Sequence, residues 1–220
     1  MDFSTPYVFD TGQDILGWVR VYEETHNAIY LDAAINAGDW LSSIQQPDGW
    51  FPTTAYSKST HTYHSRVAWA LLRLSEVSQR SIYRDMAILN LNWVVSKQQD
   101  NGWFDISAND EITHFIAYTG RGLLEASVLL GTDDYLQSAR RLADVLLEIQ
   151  LDSGRLYGRY DFRWHPTVEW HCVTGDLQIA IIWLRLYHMT GNEDYHRGAK
   201  SAIEHVTKIQ NIESSEKGIR

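Results

Sequence analysis

Cysteine occurs once in the 220 residues, at Cys172, which excludes an intramolecular disulfide framework. Proline occurs four times, too few for a loop-rich all-β chain, and the shortage favours helices. Basic residues are also scarce: 19 Lys and Arg stand against 28 Asp and Glu, a formal charge of −9 with no basic block. Nucleic-acid binding runs on clustered cations, so that class of partner is not expected. No apolar run approaches the roughly 20 residues of a membrane span, and Met1–Thr11 lacks the apolar core of a secretion signal. The expectation is a soluble cytoplasmic protein with one domain over residues 1–220.

Aromatic residues, by contrast, make up 12% of the chain, with nine Trp, and there are nine His. So many large rings need either an extensive core or an aromatic-lined cleft. The chain also repeats itself. Tyr30-Leu-Asp-Ala-Ala34, Tyr83-Arg-Asp-Met-Ala87, Tyr135-Leu-Gln-Ser-Ala139 and Tyr195-His-Arg-Gly-Ala199 share one frame, at spacings of 53, 52 and 60. Ten residues after each tyrosine stand Trp40, Trp93, Val145 and His205, and each segment runs on to a glutamine: Gln45, Gln98, Gln150 and Gln210. Three of the segments close with Gly49-Trp50, Gly102-Trp103 and Gly154-Arg155.

Each repeat holds two helices of different character. The second is amphipathic: Leu136, Ala139, Leu142, Val145, Leu146 and Ile149 recur at three and four, with charges between. The first is apolar nearly all round, as in Val67-Ala-Trp-Ala-Leu-Leu72 and Ile179-Ala-Ile-Ile-Trp-Leu184, and so is buried on all sides. Inner and outer helices alternate. The pattern predicts an all-α protein, an α/α toroid of four helical hairpins of about 52 residues.

This frame resembles the α/α-toroid proteins, both the prenyltransferase and squalene-cyclase repeats and the six-hairpin glycan-processing enzymes. Phe9-Asp-Thr-Gly-Gln13, the segments His61–Leu72 and Thr113–Glu125, and Thr174-Gly-Asp-Leu-Gln178 are similar to uncharacterised bacterial toroid proteins of polysaccharide gene clusters. The resemblance implies glycan chemistry. Six hairpins make the usual glycan-enzyme ring and four are counted here, which implies a partial or open toroid. Uncovered apolar inner helices then predict a homodimer.

Alternation puts every outer-to-inner connection at one end of such a ring, together with the N-termini of the inner helices and their unpaired N–H groups. The residues there are Asp10, Thr11 and Gln13; then Trp50, Phe51, Tyr56, His61, Tyr63, His64 and Arg66; then Trp103, Phe104, His114, Tyr118 and Arg121; then Tyr157, Arg159, Trp164, Trp170, His171, Cys172, Asp176 and Gln178. Gln13, Arg66 and Gln178 each precede a frame tyrosine by 17, with Thr119 in the fourth place. Trp50 and Trp103 recur like packing residues, although their faces would also suit sugar stacking. Asp10 and Thr11 stand where helix N-caps would, and Trp40, Trp69, Trp93 and Trp183 are expected in the core.

Two chemistries fit these residues and a third fits poorly. Proton abstraction from a uronic-acid glycan, as in a lyase or C5-epimerase, needs cations for the carboxylate (Arg66, Arg121, Arg159). It also needs acid and base groups near neutrality, here His114, His61, His171, Tyr63 and Tyr118. Saccharide contacts would come from Gln13, Gln178, Trp50, Trp103, Trp164 and Trp170. Glycoside hydrolysis would instead use two carboxylates, Asp10 and Asp176. Metal chemistry on His114, His171 and Cys172 lacks a second cysteine and any compact ligand spacing, so neither metal nor cofactor is expected. A non-catalytic oligosaccharide-binding or truncated module is the remaining alternative.

Overall fold

Four two-residue turns set the architecture. A computed structural model of the chain describes residues 6–52, 61–105, 108 and 110–210, so Tyr56 lies outside the described residues. Helix α1 (Val8–Thr25) is followed by α2 (Ala28–Ile44), α3 (Ser65–Ser78) by α4 (Ser81–Ser96), α5 (Thr113–Leu130) by α6 (Asp133–Ser153), and α7 (Val173–Thr190) by α8 (Glu193–Ile209). In each gap the first residue is left-handed: His26 (φ 53°), Gln79 (57°), Gly131 (63°) and Gly191 (70°). That conformation lets the turn N–H return to a carbonyl of the last helical turn, and an antiparallel helix can begin at once. Asn27 and Asn192 then cap α2 and α8, accepting from the amides of Ile29 and Asp194.

Contacts divide the chain into two compact units. Met1–Ala108 with Tyr118–Ala139 form one, Asn109–Ala117 with Arg140–Arg220 the other, and α5 and α6 contribute to both. In the first unit α1 packs on α2 and α3, and α3 packs on α4. Its centre holds Ile15, Leu41, Leu71, Leu74, Tyr83 and Leu91, all fully buried. In the second unit α7 packs on α8 around Trp183 and Tyr195, and the Trp183 indole donates to the Ala143 carbonyl at 3.0 Å. Trp183 is thus the core residue expected, whereas Trp40, Trp69 and Trp93 are only half-buried.

The repeated residues are joints. The Tyr83 hydroxyl donates to Asp39 Oδ1 (2.6 Å), that of Tyr135 to Asn92 Oδ1 (2.8 Å), and that of Tyr195 to Asp144. These acceptors stand nine residues after Tyr30, Tyr83 and Tyr135, so each outer helix is pinned to the one before it. The glutamines act likewise. Gln45 Nε2 donates to the Gly49 and Met86 carbonyls (3.1 and 2.9 Å), and Gln98 Nε2 to those of Gly102 and Ser138 (3.3 and 2.9 Å). Gln150 Nε2 reaches the Gly154 carbonyl and Ser201 Oγ (3.4 and 3.0 Å). Gly49 must be glycine twice over: its φ is 100°, and a Cβ there would sit 2.3 Å from the Leu89 carbonyl oxygen.

Two departures from the sequence reading concern local structure. A small antiparallel ladder pairs β1 (Asp110–Ile112) with β2 (Arg159–Asp161). Strands of three residues are too short to show a period. At the N-terminus, α1 begins at Val8, so Asp10 and Thr11 lie inside its first turn; the Thr11 amide donates to the Tyr7 carbonyl at 2.9 Å, and neither residue is the cap. No helix among the described residues is long and apolar enough to cross a membrane.

Candidate functional site

In the first unit a ladder of rings leads from an imidazole to two guanidinium groups. A single 3₁₀ turn over Thr62–His64 precedes α3 and buries His61, Tyr63 and His64 together. His61 stacks on Tyr63 (centroids 4.5 Å apart), Tyr63 meets the edge of Phe9 (5.2 Å), and Phe9 stacks on Tyr118 (5.1 Å). The Arg66 guanidinium lies over the Tyr118 ring at 4.7 Å and over Trp69 at 5.8 Å. Arg121 lies over Trp69 at 5.5 Å and pairs with Glu125 through Nε at 2.8 Å. Aromatic faces hold both planar cations in fixed orientations. The α3 and α5 helices bearing them are tied together by Thr62–Thr119 (3.1 Å between hydroxyls) and by Ser65 Oγ donating to the Thr119 carbonyl at 3.0 Å.

Burial sets the electrostatics of this ladder. It pushes the His61 imidazole below its ordinary range and His64 down to about 3, with His61 adding to the latter effect. Both imidazoles are therefore neutral at pH 7. Burial and the neighbouring Arg121 charge also lower Arg66, while Tyr118 acts in the opposite sense.

His64 makes the fold acid-sensitive. Its side chain takes up a proton near pH 6.5 when unfolded and near 3 when folded. Its contribution is therefore complete above about pH 6.5 and is lost as pH falls toward 3, at up to about 1.4 kcal/mol per unit. Urea unfolding at pH 7.5 and pH 5 should differ by about 2 kcal/mol more in the wild type than in His64→Gln. Equal pH dependence in the two proteins would refute the buried neutral imidazole.

The second unit holds a different group. His114 Nδ1 lies 3.4 Å from Cys172 Sγ, and burial, then Arg159, lowers the imidazole. Arg159 donates through Nε and an Nη to Asp110 (3.0 and 2.8 Å), and Thr167 donates to the same carboxylate (2.7 Å). The forked face that would grip a substrate carboxylate is thus committed within the protein. Burial raises Glu111 to about 7 and, independently, Asp176 to about 7. The His171 and His205 rings lie 4.4 Å apart.

The remaining sequence candidates are dispersed. Trp103 is 3% exposed and sits in a turn built like the Trp50 turn: Gln46 N–H donates to the Trp50 carbonyl, and Gln99 N–H to that of Trp103. Burial makes Trp103 a packing residue and leaves Trp50 half-covered. Trp164 is buried at φ 64°, in a turn closed by the Asp161 carboxylate, whereas Trp170 is 48% exposed and lies against Gly158. Asp10 is exposed in the first unit and Asp176 is buried in the second. Gln13 and Gln178 are half-buried, and Gln13 Nε2 has no hydrogen-bond partner among the described residues. Phe9, Trp69, Glu111 and His205 were not among the sequence candidates. His205 carried a signal, since it replaces Trp40, Trp93 and Val145 at the same position of the frame.

D-mannose isomerase superposes with a TM-score of 0.80 at 16% identity, over 94% of this chain and 61% of that one. Cellobiose 2-epimerase from Bacillus thermoamylovorans B4167 gives 0.79 at 12% identity, over 96% and 62%. The fold is an α/α toroid. Unsaturated glucuronyl hydrolase from Bacillus sp. GL1 matches at 0.73 and 16% identity, over 92% and 62%. This chain spans about three fifths of the length of each, and so represents part of the toroid they contain. No family model and no curated protein matches the sequence. These toroid proteins process carbohydrate, and this chain shares their fold.

Proposed function

We propose that this protein acts on carbohydrate by abstracting a proton from a sugar carbon next to a carboxylate, the chemistry of a uronate lyase or C5-epimerase. The observation that carries the reading is the ladder in the first unit, where two oriented guanidinium groups and a neutral imidazole are joined through aromatic rings. A carbon acid beside a carboxylate becomes acidic enough only when its negative charge is neutralised. Arg66 and Arg121 supply that neutralisation. His61, kept unprotonated by burial, is the base, and Tyr118 or Tyr63 is the partner acid. Isomerase and epimerase names among proteins of this fold, which denote rearrangement at a sugar, support the choice.

Hydrolysis is the second reading, favoured by Asp176. A buried carboxyl held near 7 is protonated in part at neutrality and suits a general acid. Glucuronyl hydrolase has the same fold. Assembly as a homodimer in the cytoplasm belongs to the proposal as well.

The deciding experiment incubates the chain in D₂O with uronate-bearing and neutral oligosaccharides and follows them by NMR. Deuterium at a ring carbon, or an unsaturated product, is the expected result with the uronate substrate. New reducing ends without either would transfer the assignment to hydrolysis. Chemical-shift changes without turnover would make the protein a binding module.

A further inference from the structure

The described residues contain one group of three side chains able to hold a metal ion: His171, Asp176 and His205, one ligand atom from each within 4.8 Å of the others. We propose that these residues bind one divalent transition-metal ion in the second unit. The inference is independent of the proton-abstraction reading.

Burial without partners carries the argument. Asp176 is 2% exposed, and its Oδ1 is buried with no hydrogen-bond partner among the described residues. His171 Nδ1 and His205 Nε2 are buried and unpartnered in the same way. Native proteins leave few such atoms, and a buried carboxylate without hydrogen bonds is costly. Each of the three residues thus carries a buried polar atom in need of a partner, and one ligand atom from each lies within 4.8 Å of the others. A cation coordinated by the three would supply such a partner.

The donor set defines the ion. Two imidazole nitrogens and one carboxylate oxygen suit zinc, cobalt, iron or manganese, and three protein ligands leave at least one position open for water or a substrate oxygen. Ligands of zinc at about 2.0–2.1 Å from the ion stand roughly 3.4 Å from one another, so modest side-chain movement closes the site. Topology supplies the rest: His171 lies just before α7, Asp176 in its first turn and His205 near the end of α8, and α7 and α8 pack together. The ion would clamp the approach to α7 onto α8.

The test strips the purified protein with a chelator and titrates it with Co²⁺, then with Zn²⁺ in competition. The expected result is one equivalent of Co²⁺, with visible d–d absorption that Zn²⁺ abolishes, and a rise in Tm with Zn²⁺. His205→Ala and Asp176→Asn should each weaken binding at least a hundredfold. His196→Ala, which removes an exposed imidazole 3.6 Å from Glu193, should change nothing. Absence of stoichiometric binding by the wild type overturns the site, whatever the variants' folding. So does undiminished binding by folded His205→Ala, or its loss in His196→Ala. A thiolate-to-cobalt charge-transfer band would put Cys172 in the ligand set and overturn the assignment.

Discussion

Gly122→Ala is expected to destabilise the first unit by about 3 kcal/mol or more, the range of severe overpacking. A Cβ at position 122 would lie 2.3 Å from the Ser65 carbonyl carbon, 2.4 Å from Ser65 Oγ and 2.5 Å from the Arg66 nitrogen. Two of these atoms are backbone, so no rotamer change relieves the contact; α5 must move away from the start of α3. That movement stretches the hydrogen bond from Ser65 Oγ to the Thr119 carbonyl and the Thr62–Thr119 contact. It also carries Arg66 away from the Tyr118 ring. Urea denaturation of the two proteins at one pH measures the loss, and a difference under 1 kcal/mol would show that the helices do not meet so closely.

This contact illustrates which parts of the molecule could be read from residues alone. The hairpins were legible because a fixed frame repeats: Tyr83, Tyr135 and Tyr195 make the same bond to the preceding outer helix, and Gln45, Gln98 and Gln150 close the same turn. Selection for one geometry at several places leaves the same residue at each. Sites leave no such trace, because their members come from unlike places in the frame. The Arg66 platform draws Phe9 from α1, Trp69 from α3 and Tyr118 from α5, and nothing in periodicity distinguishes Trp69 from the buried Trp183. Trp69 is a platform because an arginine three residues before it and another on a second helix turn toward its face. Asp110 shows the opposite case. Its claim on Arg159 depends on a three-residue strand pairing across 49 residues, invisible to local pattern. His205 lay between these extremes, as a titratable residue in an otherwise apolar register.

Arg66→Met should lower kcat/KM on a uronate-bearing oligosaccharide by about 100- to 1000-fold, the usual loss when a charge-stabilising donor is removed. On a neutral oligosaccharide of the same length the change should stay within a few-fold. The contrast follows from what Arg66 would do. Its charge offsets the carboxylate as the neighbouring carbon loses a proton, and a substrate without that carboxylate gains nothing from it. Arg66→Lys should recover only part of the loss, because an ammonium restores the charge but not the planar stacking on Tyr118 and Trp69. Arg121 is the poorer choice for this experiment: Glu125, 8% exposed, forms an ion pair with it at 2.8 Å, and removing the arginine strands a buried carboxylate and confounds activity with unfolding. A parallel loss on acidic and neutral saccharides, with Tm unchanged, would make Arg66 a positioning residue of the ring ladder and transfer the carboxylate to some other group.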